Sequence, residues 1–222
     1  MILDTKNRYL QIAFNYDLGM VKRILPTIPK SERIFIEAGT PFIKQEGARG
    51  IRTIATLWPG LVVADLKVAD GALGEVEMAH RAGASAATVL GNSPTETLNI
   101  FVEACHRLGM VSMIDMVGVE DPLGVVRRMK APPEVVVLHR GRDEEGTRGK
   151  VIQYRHVNRV RSKYSMLISA AGGVDLKEAR SAIFNGASIV VVNLVHPHDP
   201  WEGIRTTEDV ASMAATFLAT IE

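Results

Sequence analysis

Asp65-Leu66-Lys67, with Asp70 just beyond, sets an ammonium group between carboxylates. A lysine so placed stays cationic and can stabilise an oxygen that gains negative charge, as in an enolate. Glu37 and Asp65 offer hard oxygen ligands of the type that Mg²⁺ or Mn²⁺ prefers. His139 can move a proton near neutral pH. Gly172-Gly173 stands shortly before a helix start and can bring backbone N–H groups up to a phosphate. Asn15, Asp115 and Arg142 add polar groups that a substrate could meet. Taken singly, these residues have plainer explanations: a satisfied structural glutamate, a plain Asp65–Lys67 ion pair, a structural histidine. Only the set points to a site, and only if the fold brings the set together.

The elements that must do so recur at an even spacing. Short apolar runs cover 9–14, 33–39, 61–66, 86–91, 111–116, 134–139, 165–170 and 188–193. They are rich in Val, Ile and Leu without clean alternation, as strands buried on both faces should be. Helical patterns lie between them. Leu98, Phe101, Val102, Cys105 and Leu108 form one apolar stripe; Val210, Met213, Phe217, Leu218 and Ile221 form another. Residues 75–82 read as a helix closed by Gly83, and Asp175 as the cap of a helix over 176–185. Pro132-Pro133 marks a turn, and 196–200 an irregular loop. Eight strand–helix units over 1–222 predict a single-domain α/β fold, a (β/α)8 TIM barrel, with an open doubly wound sheet as the competitor. In a barrel the active site is built at the C-terminal ends of the strands, where Asn15, Glu37, Asp65, Lys67, Asp115 and His139 fall.

Composition narrows the function classes. The chain has 222 residues, 26 Lys+Arg against 25 Asp+Glu, and a formal net charge of +1, so bulk electrostatics supports neither nucleic acid nor an anionic membrane as partner. A single cysteine argues against a disulfide-stapled scaffold. The charged start does not read as a signal peptide, and no apolar run is long enough to span a membrane. A cytoplasmic location is the simplest expectation. GxGxxG, Walker A, HExxH, CxxC and GxSxG patterns are absent, which removes most support for nicotinamide, zinc and serine-hydrolase chemistry.

Several segments resemble 3-hexulose-6-phosphate synthase: Leu10-Gln11-Ile12-Ala13, the run from Glu37 to Lys44, the run from Val63 to Asp70, Glu75 to Ala79, Thr88 to Gly91, Ile114 to Val119, and Ala171-Gly172-Gly173. The Asp-x-Lys-x-x-Asp pattern is shared by a wider group that includes orotidine 5′-phosphate decarboxylase and 3-keto-L-gulonate-6-phosphate decarboxylase. The resemblance implies a homodimeric barrel with active sites at the subunit interface. It implies that Glu37 and Asp65 hold Mg²⁺ (or Mn²⁺), that Lys67 stabilises a 1,2-enediolate, that Asp70 reaches the partner's site and that His139 handles substrate protons. The implied reaction is aldol addition of formaldehyde to ribulose 5-phosphate, or its reverse, on a small phosphosugar substrate.

The sequence departs from that pattern. Asn15 stands where a first-strand aspartate is expected, and Asn193-Leu194 replaces the strand-eight glycine that would approach a phosphate. The segment from His139 to Asp143 looks more like the keto-gulonate-phosphate decarboxylase, whose discriminating product is CO₂. A diverged barrel that takes another substrate, or binds a ligand without turnover, is the reading from another class. In the loop His196-Pro197-His198-Asp199-Pro200-Trp201, the two histidines and the aspartate could ligate a transition metal. A solvated loop, with Trp201 over the barrel rim, is the simpler expectation, as is an exposed helix face for the basic cluster 155–163.

Overall fold

The computed structural model describes residues 3–222. Eight parallel strands run in chain order around a closed ring: β1 (Tyr9–Phe14), β2 (Ile34–Ala38), β3 (Val62–Val68), β4 (Ala86–Leu90), β5 (Val111–Asp115), β6 (Val135–His139), β7 (Leu167–Ala171) and β8 (Ile189–Val195). Pairing of β1 with β8, Tyr9 opposite Ile189 through Ala13 opposite Asn193, closes the (β/α)8 barrel and excludes the open sheet. A short strand, β9 (Ile204–Arg205), pairs with the end of β8. The helices are α1 (Leu18–Ile24), α2 (Thr40–Leu57), α3 (Ala72–Arg81), α4 (Thr95–Arg107), α5 (Pro122–Arg127), α6 (Arg155–Arg161), α7 (Leu176–Phe184) and α8 (Val210–Thr220). Among the described residues no helix is long and apolar enough to cross a membrane.

The absence of alternation in the strands has a direct cause: both faces are packed. Leu10, Ile12, Phe14 and Ile36 join the layer beneath the helices, while Tyr9, Ala13, Phe35, Val63, Met113, Val137 and Val191 fill the barrel interior. Two residues further along a strand is the same face. So Gln11, Glu37, Asp65, Thr88, Asp115, His139 and Asn193, each two past an interior apolar residue, also point inward. Together they replace apolar packing with polar groups towards the C-terminal rim.

Helix signals behave as their chemistry predicts. The Asp175 carboxylate accepts from Glu178 N at 2.6 Å and starts α7. α3 begins at Ala72, three residues before the expected start, and ends with Gly83 at φ 97°. Cys105 is fully buried on α4. In α6 the basic residues face outward, while His156, Val157 and Val160 pack inward.

Gly172 is required by the backbone. Its φ is 100°, and a Cβ there would lie 1.9 Å from the Arg140 carbonyl oxygen. Gly172→Ala is therefore expected to destabilise by about 3 kcal/mol, from positive-φ strain and overlap with main chain. In a chain of this size that lowers the melting temperature by roughly 6–12 °C, readable by scanning calorimetry.

Candidate active site

A cavity of about 440 Å³ opens at the C-terminal rim, and Asn15, Glu37, Asp65, Lys67, Asp115, His139, Arg142 and Gly172 all line it. Asp70 and Gly173 do not; Asp70 is exposed just past β3.

At the centre is Lys67. Its Nζ donates to Asp65 Oδ2 at 2.7 Å and lies 3.0 Å from Asp115 Oδ2. The lysine does stand between two aspartates, but the second is Asp115 from β5, two strands along the ring, not the neighbouring Asp70. Lys67 is the only non-glycine residue with positive φ (47°) among the described residues. It sits where the β3–β4 register shifts between Ala64 and Val68, and its amide N donates to Thr88 Oγ1 at 3.0 Å. Burial alone would lower the lysine pKa. The Asp65 and Asp115 charges outweigh it and hold the pKa above its ordinary value.

Asp115 also accepts from His139 Nδ1, at 2.8 Å to Oδ2, and from Val117 N, at 2.9 Å to Oδ1. Burial opposes ionisation of Asp115, but the cations of His139 and Lys67 prevail and pull its pKa down. The same pairing overcomes burial at His139 and raises the imidazole pKa. With Nδ1 engaged, Nε2 is the ring nitrogen left to exchange a proton.

Asp65 is held from three sides. Thr40 and Thr88 hydroxyls donate to it, each at 2.7 Å, alongside Lys67. Glu37 is buried next to it and accepts from Gln11 Nε2 at 2.5 Å. Burial, and then the Asp65 charge, push the Glu37 pKa from 4.5 up to about 7. Gln11, Thr40 and Thr88 were missed as site residues in the sequence reading. Gln11 and Thr88 carry one usable signal, a polar residue at an interior position of an otherwise apolar strand.

Two arrangements at the rim involve the expected phosphate contacts. Arg140 Nη2 donates to the carbonyls of Gly172 and Gly173 at 3.0 and 3.3 Å. A Cβ on Gly173 would lie 2.1 Å from that nitrogen and 3.0 Å from Glu145 Oε2. The two asparagines that break the sequence pattern meet each other: Asn15 Nδ2 donates to Asn193 Oδ1 at 2.9 Å. The loop 196–201 is tied down rather than free. Tyr16 hydroxyl and His196 N donate to the Asp199 carboxylate, and Arg205 Nη1 donates to the His196 and Asp199 carbonyls. Trp201 does reach the rim, where the Arg142 guanidinium lies 4.4 Å from its ring centre.

Among the described residues no group of three or more His, Cys, Asp or Glu side chains is arranged to hold a metal ion, in that loop or elsewhere. Glu37 and Asp65 are two neighbouring carboxylates with no third such group arranged beside them, and Gln11 Oε1 is buried without a hydrogen-bond partner among the described residues.

A model of the orotidine 5′-phosphate decarboxylase / HUMPS family matches residues 8–193. The bifunctional enzyme Fae/Hps of Methanothrix thermoacetophila is 35% identical over 96% of this chain. The chain spans about half the length of the curated relatives it matches, 53% of that one. The crystal structure of 3-hexulose-6-phosphate synthase from Salmonella typhimurium superposes with a TM-score of 0.83 at 25% identity, over 96% of this chain and 98% of that one. That of 3-keto-L-gulonate-6-phosphate decarboxylase from Vibrio cholerae shares the fold, with a TM-score of 0.74 at 19% identity over 97% of each chain.

Proposed function

Because this chain belongs to the orotidine 5′-phosphate decarboxylase / HUMPS family, we propose that it makes or breaks a carbon–carbon bond on a phosphorylated ketose, in the manner of 3-hexulose-6-phosphate synthase. The observation that carries this reading is the row Asp65, Lys67, Asp115, His139 in one cavity, acid and base alternating at 2.7 to 3.0 Å.

In the synthetic direction, ribulose 5-phosphate loses a proton from the carbon beside its carbonyl and becomes an enediolate. The Lys67 ammonium lies against the oxygen that gains charge. The enediolate carbon attacks formaldehyde, and the aldehyde oxygen receives the displaced electron pair and then a proton. His139 Nε2, neutral at the start, takes the proton from carbon and returns it to the aldehyde oxygen, while Asp115 holds the ring and stabilises the imidazolium formed in between. Glu37 and Asp65 would hold Mg²⁺ or Mn²⁺, which when bound supplies Lewis acidity towards the substrate's carbonyl and hydroxyl oxygens. The donor set fits such an ion. Two buried, mutually repelling carboxylates gain from a dication, and Mg²⁺ keeps several water ligands. Asp70, exposed beyond β3, is assigned to the site of a second copy in a homodimer.

Formaldehyde consumption in the presence of ribulose 5-phosphate and Mg²⁺ is the direct test; no consumption would remove the synthase reading. Arg142, on the same cavity wall as His139, favours a second reading, decarboxylation through the same enediolate. Release of CO₂ from 3-keto-L-gulonate 6-phosphate discriminates the two.

Glu37 provides a check on the cation that does not use turnover. Its pKa is raised in the folded protein, from 4.5 to about 7. Its stabilising contribution to metal-free protein is therefore complete below the lower value and is lost as the pH rises through the higher one. Mg²⁺ binds the ionised form. The melting-temperature gain on adding Mg²⁺ is expected to be larger at about pH 8 than at about pH 5.5. Glu37→Gln should abolish most of that gain. Equal gains at both pH values, or an unchanged gain in the variant, would exclude Glu37 as a ligand.

A further inference from the structure

Beside the barrel mouth, between the loop after β5 and the segment running from His139 into α6, lies a second cavity of about 290 Å³. Arg140, Lys150, Arg155 and His156 form its basic wall, with Glu120 and Glu144 as the acidic members. Glu144 is already committed, to Lys150 at 2.9 Å and to Gly141 N at 3.1 Å, and Glu120 is exposed. His139 borders this cavity and the reaction cavity alike.

Two residues of this wall each carry a buried donor with no acceptor among the described residues. His156 is only 4% exposed. Arg155 Nε donates to His156 Nε2 at 3.4 Å, so the neutral ring carries its proton on Nδ1. Burial, and then the charges of Arg155 and Arg159, hold the His156 pKa below its ordinary value and keep the ring neutral. That Nδ1–H is buried and unpartnered among the described residues, and so is Arg140 Nε–H. Arg140 cannot turn away to satisfy it, because Nη2 is bonded to the Gly172 and Gly173 carbonyls and Nη1 to that of Lys150. Buried N–H groups normally find acceptors, and unmet ones call for an explanation. At the rim, the Arg140 side chain is bonded to the Gly172 and Gly173 carbonyls, and Asn193 is bonded to Asn15.

We propose that this second cavity is an oxyanion site for a phosphate-type group, with His156 Nδ1–H and Arg140 Nε–H as its buried donors and Arg155 as its exposed cation. A phosphate carries several acceptor oxygens of the kind these donors lack, and guanidinium groups suit it in charge and geometry. The phosphate belongs either to the substrate or to a separate phosphate-bearing effector. The site stands whether or not the reaction proposed above is the right one.

Inorganic phosphate is the probe, followed by calorimetry and by ¹⁵N NMR of histidine-labelled protein. Saturable one-to-one binding that moves the His156 Nδ1 resonance is expected, weakened about tenfold or more by Arg155→Ala, which alters an exposed residue and spares the fold. His156→Asn should weaken it too. Competition with ribulose 5-phosphate then assigns the source: displacement of phosphate identifies the substrate's own group, and simultaneous binding identifies an effector. Absence of saturable binding overturns the proposal. So does binding that Arg155→Ala leaves intact and Arg142→Ala weakens, since that places the anion in the reaction cavity.

Discussion

Lys67→Ala is expected to lower turnover by on the order of 10³-fold or more while the barrel still folds, the scale seen when a single preorganised charge stabiliser is removed. Alanine keeps a Cβ on the left-handed backbone at φ 47°, so the local strain is unchanged and the ammonium alone is lost. Asp65 then retains the Thr40 and Thr88 hydroxyls, and Asp115 retains His139 and Val117 N. Both carboxylates stay hydrogen-bonded, which preserves the fold at some cost in stability. Lys67→Arg keeps the charge but not the compact donor that fits between oxygens at 2.7 and 3.0 Å, and is expected to recover only a small part of the rate. Steady-state kinetics with circular dichroism as the folding control decides the matter. Turnover within about tenfold of the parent, in a folded Lys67→Ala protein, would move the reaction away from this lysine and favour a binding role for the barrel.

Asp115→Asn should cost roughly 10²- to 10³-fold in kcat, because one carboxylate orients two groups of the site. The amide can still accept from Val117 N, but it no longer attracts the cations of Lys67 and His139. Burial then dominates at His139, and its pKa, held up in the parent by Asp115, falls. The direction of the pH effect follows. His139 starts the reaction as a base and must be neutral, and its neutral form appears at lower pH in the variant than in the parent, so the acidic limb of the rate profile moves to lower pH in Asp115→Asn. A uniform loss of rate with an unmoved limb would show that His139 is not the titrating group.

Much of this was legible before any coordinates. The eight apolar runs became eight strands within a few residues, since burial on both faces leaves a continuous Val, Ile and Leu signature. Counting by twos from those runs also orients Glu37, Asp65, Asp115 and His139 inward, because side-chain direction along a strand is a local property. The chemical types of the site were equally plain: hard oxygens, a lysine, an imidazole.

The partnerships were not. Sequence proximity suggested Asp70 as the second carboxylate beside Lys67, and closure of the ring supplied Asp115 instead. Gly172-Gly173 read as open backbone, and the Arg140 side chain lies across it. Asn15 and Asn193 were two separate departures until β1 paired with β8 and joined them. Residue types, strand positions and facing are set by each segment alone. Which charge meets which, and which donors are left unmet, depends on contacts between strands far apart in the chain, and these exist only once the barrel has closed.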